Sequence, residues 1–326
     1  MMSHRGVILT TLLLWANGGE AAAEPLPFSP EELRAGLRES AGGLKNLYQE
    51  LSIIGTTPGI SAANFRPTHD SSDPLDIDSY KLAPKYAFDI GIDGFRPYIE
   101  GTFGYVNSDQ TLNFGDSDGM ANRLDLDTRT LSLLGGAGAE FDIASGTILR
   151  PMLLLGYSRT SNNTASSGPV GDLFHEAGKG LLVDFKIHSL LYGGALEIEQ
   201  NHRWDNDVGL TANLRYNYLV DDSYRASDPE LEGRNDFSVM TAAAELNGPT
   251  DLALFGRPLR WIGFVTGTYL PEIKDDIGFD YFVEIGGGIE IVDGGVIPGI
   301  DGVSLRGSGL VGDGVKGWSV GLAAEF

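Results

Sequence analysis

Apolar and polar residues take turns along most of this chain. The run Val208, Leu210, Ala212, Leu214, Tyr216, Tyr218 and Val220 alternates with Gly209, Thr211, Asn213, Arg215 and Asn217. A repeat of two puts the first set on one face of a β-strand and the second on the other. The same alternation runs through residues 80–90, 95–105, 130–141, 149–157, 279–291, 303–311 and 317–326, and more weakly through 237–246 and 259–269. Between 181 and 200 the apolar phase changes near Ser189, from Val183, Phe185 and Ile187 to Leu190, Tyr192, Leu196 and Ile198. That change predicts a β-bulge within a long strand. About eleven strands follow from Tyr80 onward, and closing an even-numbered ring asks for a twelfth. Residues 46–57, with Tyr48, Leu51, Ile53 and Ile54, are the candidate.

These runs reach about ten residues, the length a tilted strand needs to cross a bilayer, whereas strands of soluble sandwiches centre on about five or six. The connections alternate in kind. Residues 91–94, 142–146 and 201–207 are tight turns, while 107–127, 159–180 and 221–236 are long and polar. Short turns on one side and longer loops on the other are the habit of transmembrane barrels. Residues 247–258 are long for the short side, and 312–316 are short for the long side.

A helix is predicted ahead of the strands, over 29–42. Ser29 is a good N-cap, Pro30 suits the first helical position and Glu32 completes a capping box. Leu33 and Leu37 form its apolar stripe, and Gly42-Gly43 is expected to end it. Further upstream, Arg5, the apolar stretch 6–16 and Ala21-Ala22-Ala23 are the three parts of a signal peptide. The expected organisation is a signal peptide over 1–23, a helical segment and candidate pore plug over 24–45, and a barrel over 46–326.

Composition narrows the class. A net charge of −22 excludes a basic nucleic-acid surface. The mean hydropathy of −0.07 suits a barrel, because half of each strand faces a polar lumen. The absence of Cys does not by itself fix a compartment.

In the last strand Trp318, Val320, Leu322, Ala324 and Phe326 alternate with Ser319, Gly321, Ala323 and Glu325. This resembles the closing strand of bacterial outer-membrane barrels, whose pattern polar-x-Gly-x-x-apolar-x-aromatic falls here on Ser319, Gly321, Ala324 and Phe326. Ala324 is the weakest match and Phe326 the strongest. The resemblance implies that these four residues form an assembly signal read by the barrel assembly machinery. A short helix followed by a barrel also resembles the translocator domain of autotransporters, in which a helix threads the pore and a passenger lies outside. Few residues precede the helix once the leader is removed, so the resemblance is to a solitary autotransporter-type β-domain with no passenger expected. It implies an outer-membrane location, membrane lipid and lipopolysaccharide as neighbours, a monomer, and no nucleic-acid partner.

Function then depends on the inward face. Lys81, Lys85, Asp89, Arg96, Glu100, Glu140, Lys186, Glu197, Glu199, Arg215, Glu284, Glu290 and Arg306 are the expected lumen-lining charges. They either line a selective pore or pair across the strands around a plug. The alternative is a barrel enzyme acting on lipids, which needs His and Ser. His188 precedes Ser189, with Glu197 and Glu199 further along the strand, but neighbouring strand residues point apart and only a bulge would bring them together. His69, His175 and His202 fall in predicted connections, and there is no G-x-S-x-G motif. Asp116-Ser117-Asp118-Gly119 with Asp125 and Asp127 has its Gly at the wrong position for a calcium loop and lacks the closing Glu, so a solvated acidic loop is expected. No catalytic residue, metal or cofactor is assigned. Tyr98, Tyr157, Tyr216, Tyr218, Trp261, Tyr269 and Trp318 are expected to form interfacial girdles.

Overall fold

The computed structural model describes residues 29–39, 41–56, 62–67, 75–117, 120–274, 278–292 and 302–325, so the predicted signal peptide and Phe326 lie outside the described residues. The strands are β1 (Ala62–Pro67), β2 in two pieces (Leu75–Leu82 and Lys85–Ala87), β3 (Phe95–Ser117), β4 (Met120–Ala144), β5 (Thr147–Ser167), β6 (Lys186–Arg203), β7 (Gly209–Ala226), β8 (Gly233–Leu254), β9 (Arg257–Tyr269), β10 (Tyr281–Val292), β11 (Gly302–Gly312) and β12 (Val315–Glu325). Each pairs antiparallel with its neighbour in sequence. β1 also pairs with β12, Ala62 opposite Val320 and Pro67 opposite Val315, which closes a 12-stranded barrel. The two pieces of β2 both pair with β3. They are split at Ala83-Pro84, where the proline has no N–H to give while its carbonyl accepts from the Gly101 N–H at 2.9 Å.

The alternation in the sequence becomes two surfaces. Phe103, Leu133, Leu155, Tyr216, Ile285, Leu305 and Leu322 all stand exposed on the outer wall. Their neighbours Thr102, Leu134, Leu154, Arg215 and Glu284 are buried inside. A soluble protein would not present so many large apolar side chains in one continuous belt.

Among the described residues three α-helices fill the interior and cover its mouth: α1 (Pro30–Glu39), α2 (Ala41–Thr56) and α3 (Gly168–Gly178). The capping box forms, with the Glu32 N–H donating to Ser29 Oγ at 3.3 Å and the Ser29 N–H donating to Glu32 Oε2 at 2.9 Å. Residues 46–57 are not the twelfth strand. Residues 46–56 belong to α2, and β1 closes the ring instead. Leu44, Leu47, Tyr48, Leu51 and Ile54 recur at helical spacing, and burial on all sides in the lumen hides any strand-like face. Gly42-Gly43 does not end the helical segment either. The pair lies in the first turn of α2, where the loss of roughly 1 kcal/mol per glycine is offset by burial further along.

The segments 107–127, 159–180 and 221–236 are not simply loops. β3, β4 and β5 run for 23, 25 and 21 residues and carry much of the first two as a three-stranded extension beyond the bilayer length, while β7 and β8 take up both ends of the third. Residues 247–258 likewise continue the β8–β9 ladder to a two-residue turn at Phe255-Gly256, both with positive φ. The inward face of the β4–β5 extension is covered by α3. Gly171 sits where a Cβ would lie 2.5 Å from the Arg123 carbonyl, and Phe174 stacks on Phe114 at 4.4 Å.

Candidate functional site

The lumen has two halves. In the half towards the long hairpins and connections, the outer end in barrels of this kind, α2 sits against the wall. Leu51, Ile53 and Ile54 pack with Val106, Leu134, Leu154, Leu191, Phe237 and Phe282 in one apolar core. The helix lies in a notch: a Cβ on Gly104 would meet the Gly55 carbonyl at 2.0 Å, so only glycine admits the helix backbone this close. On its other side α2 is polar. Gln49 Nε2 donates to the Asp221 carboxylate at 3.0 Å and to the Asp221 carbonyl at 3.0 Å, and Ser52 Oγ bonds Ser158 Oγ at 3.0 Å.

Below the helix lies a lattice of charges centred on Arg150. Its guanidinium reaches Glu140 at 2.5 Å, Glu197 at 2.5 Å and Glu199 at 2.7 Å. Arg215 takes up Glu100 at 2.5 Å and the second oxygen of Glu197 at 3.3 Å, and Arg96 pairs with Glu140 at 2.8 Å. Tyr98 lies under Arg150, with the guanidinium carbon 5.4 Å from the ring centre, and donates its hydroxyl to Glu100 at 3.2 Å. The side chains of Arg150, Arg215, Glu140, Glu197 and Glu199 are all under one-tenth exposed, so solvent does not screen them. Here each charge is paired with a neighbour of opposite sign.

The other sequence-selected charges lie around this lattice. Glu284 accepts from Ser308 and, at 2.6 Å, from Ser319, with Lys81 in electrostatic reach. Arg306 meets Glu245 at 2.5 Å, and Arg260 lies 3.9 Å from Glu290. Lys85 stands near Glu199 but is itself exposed, as is Asp89. Lys186 is not a lumen residue: it shares the outward phase of Leu190, Leu196 and Ile198, while Ile187, Ser189 and Leu191 point in. The apparent change of phase at Ser189 has a different origin from a bulge in that strand. Phe185 and Ile187 are apolar on the inner face because they pack against the helices at the mouth. The irregularity that does occur there puts the extra residue, Tyr224, on the neighbouring β7. His188 and Ser189 therefore stay on opposite faces, His188 with Tyr157 on the outer wall at 2.5 Å and Ser189 inside.

Tyr98 is inside the lumen and not in a girdle, whereas Tyr157, Tyr216, Tyr218, Trp261, Tyr269 and Trp318 are exposed on the wall. Of the closing-strand residues, Ser319 is buried against Glu284 and Gly321 pairs with Arg306. In the acidic segment, Asp118 and Gly119 lie outside the described residues. Asp125 accepts from Thr111 at 2.9 Å and Asp127 pairs with Arg129. No group of three or more His, Cys, Asp or Glu side chains is placed to hold a metal ion among the described residues.

Arg150 was not singled out in the sequence, although its place between the outward Leu149 and Pro151 marks it as inward. His175 also joins a network: its Nε2 lies 2.8 Å from Asp184 and its Nδ1 3.2 Å from Ser166 Oγ. The Ser166 hydroxyl donates to Asp172 at 2.7 Å, so its proton is not directed at the imidazole as a nucleophile's would be. Burial alone would raise the Asp184 carboxyl, but the hydrogen bonds from His175 and the Thr164 N–H outweigh it and hold it below the usual carboxylate range.

No family model matches the chain, and no curated protein matches it. Among solved structures it is similar to the β domain of the Bordetella autotransporter BrkA, at 17% identity over 81% of this chain and 97% of that one, with a TM-score of 0.47. It is also similar to the translocator domain of NalP from Neisseria meningitidis, at 13% identity over 90% and 97% with a TM-score of 0.46. The transport unit of AIDA-I from Escherichia coli aligns at 13% identity over 92% and 100%, with a TM-score of 0.47.

Proposed function

We propose that this chain is an integral outer-membrane β-barrel of the autotransporter-translocator type, its lumen occupied by its own N-terminal helices, with a structural or passive-pore role. The observation that carries the reading is the pairing of an apolar outer belt with an interior occupied by α2 above and by the Arg150 lattice below. A wall of this kind is stable only when lipid covers it. Membrane lipid contacts the belt, lipopolysaccharide surrounds the outer rim, the barrel assembly machinery inserts the chain, and the barrel acts as a monomer.

A helix with its side chains is about 10–12 Å across. Removing residues 24–56 should therefore open a water path of that order through the outer half of the lumen. Planar-bilayer recordings are expected to show little steady conductance for the full chain and long-lived openings, narrowed by the Arg150 lattice below, for the truncated one. A truncated barrel that folds, judged by heat-modifiable gel mobility, yet conducts no better than the full chain would overturn the plug.

A further inference from the structure

The two N-terminal helices are held by different means. α2 is buried along its whole second half, from Tyr48 to Thr56, and its Tyr48 ring packs on Phe185 at 4.1 Å. α1 buries one side chain, Leu33, which joins Leu37 in a small cluster with Leu124, Phe174 and Ala177. What α1 lacks in apolar contact it replaces with two arginines one helical turn apart.

Arg34 donates to three acceptors at once: the Ala177 carbonyl at 3.0 Å, the Lys179 carbonyl at 2.8 Å and Asp228 Oδ2 at 2.8 Å. Arg38 donates to the same Asp228 oxygen at 3.2 Å. The two carbonyls belong to the C-terminal end of α3, a place that favours a cation. Asp228 caps the 3-10 turn Pro229–Leu231, and its other oxygen accepts from the Glu230 N–H at 3.2 Å. Its side chain is 3% exposed, against 31% and 50% for the two arginines. One buried carboxylate therefore ties α1 to the β7–β8 connection, while the same guanidinium ties it to the β5–β6 connection.

We infer that α1 is a lid over the outer mouth, latched by Asp228, and that it can open while α2 remains in the barrel. The inference rests on the plug reading for α2 and adds a second, separable layer above it. Segments with few apolar contacts open locally at far lower free energy than the core to which they are attached. Opening the lid uncovers the cluster around Phe174 without disturbing the packing of Leu51, Ile53 and Ile54.

Hydrogen exchange of the full chain in lipid vesicles, read by mass spectrometry of peptides, tests this. Asp228→Asn keeps the shape of the side chain and removes the charge. Amides of 31–39 are expected to exchange at least tenfold faster in this variant, with those of 47–56 unchanged. Arg38→Ala should give a smaller acceleration confined to the same residues, because Arg34 still holds the carboxylate. Unchanged exchange of 31–39 in Asp228→Asn would overturn the latch, and equal acceleration throughout 31–56 would overturn the separability of lid and plug. Deleting residues 24–39 removes the lid and leaves α2, so it should keep the conductance low, whereas deleting 24–56 removes both; the two readings therefore fail independently.

Discussion

Replacing Arg150 with Met removes the centre of the lumen lattice while keeping much of the side-chain volume. Three guanidiniums, those of Arg96, Arg150 and Arg215, face four carboxylates, those of Glu100, Glu140, Glu197 and Glu199. Without Arg150, Glu199 loses its only ion pair in the lattice, Glu140 keeps only Arg96, and Glu197 keeps a single contact to Arg215. Removing one partner of a buried ion pair costs about 3–5 kcal/mol, because the charge left behind stays out of water. Exposed pairs lose at most about 1 kcal/mol. The side-chain exposures of 6% for Arg150 and 9% for Glu199 place this site in the first class. Urea unfolding in lipid vesicles, followed by the fluorescence of Trp204, Trp261 and Trp318, is expected to show the larger loss. Adding Glu199→Gln to the Arg150→Met chain should recover part of it, since the stranded charge is then gone. A loss below about 1 kcal/mol would mean that water reaches the lattice and screens it, which would refute the dry lumen.

Other outcomes follow from the mouth and the closing strand. The Asp228 carboxyl feels burial, which raises it, but the Glu230 N–H, Arg38 and Arg34 together hold it below the usual carboxylate range. The folded value lies below the unfolded one, so the latch contributes fully above about pH 4 and is lost as pH falls through the depressed value. The protection of 31–39, measured against the intrinsic exchange rate at each pH, should accordingly fall on acidification in the wild type, and Asp228→Asn should abolish that fall; a fall that persists in the variant would place the acid response elsewhere. Deleting Phe326 should lower the amount of chain assembled in the outer membrane and leave the remainder in the periplasm, as cell fractionation would show. Undiminished assembly of the deletion variant would remove the assembly signal from the terminal aromatic.

The barrel was legible because its outer wall obeys one rule. Lipid requires apolar residues at every second position, and Leu214, Tyr216 and Tyr218 or Leu131 and Leu133 display that rule without reference to distant parts of the chain. The inner face obeys no such rule. Its residues answer to whatever lies opposite, so Phe185 and Ile187 imitate a change of strand phase when they are meeting helices at the mouth. α2 was hidden for the same reason: its second half is buried on all sides, and even its polar residues Gln49 and Ser52 answer to Asp221 and Ser158 on the wall and not to water. β1 is only six residues long and cannot show an alternation of its own. Arg150 was overlooked because it stands alone among apolar neighbours. Its importance comes from Glu197 and Glu199 on the next strand, a relation of register and not of sequence.

The pairing of β1 with β12 has a consequence for the order of assembly. Every other ladder joins strands adjacent in sequence and can form as a local hairpin, but Ala62 must find Val320 across almost the whole chain. Contacts of such large separation carry the greatest loop-closure entropy and come late. Because α2 precedes β1 in the chain with only a short connection, the event that seals the ring also brings the helix to the pore. The Gly104 notch then gives the helix backbone its seat against the wall. A newly inserted barrel would thus spend its immature lifetime open at the β1–β12 seam and empty in its outer half.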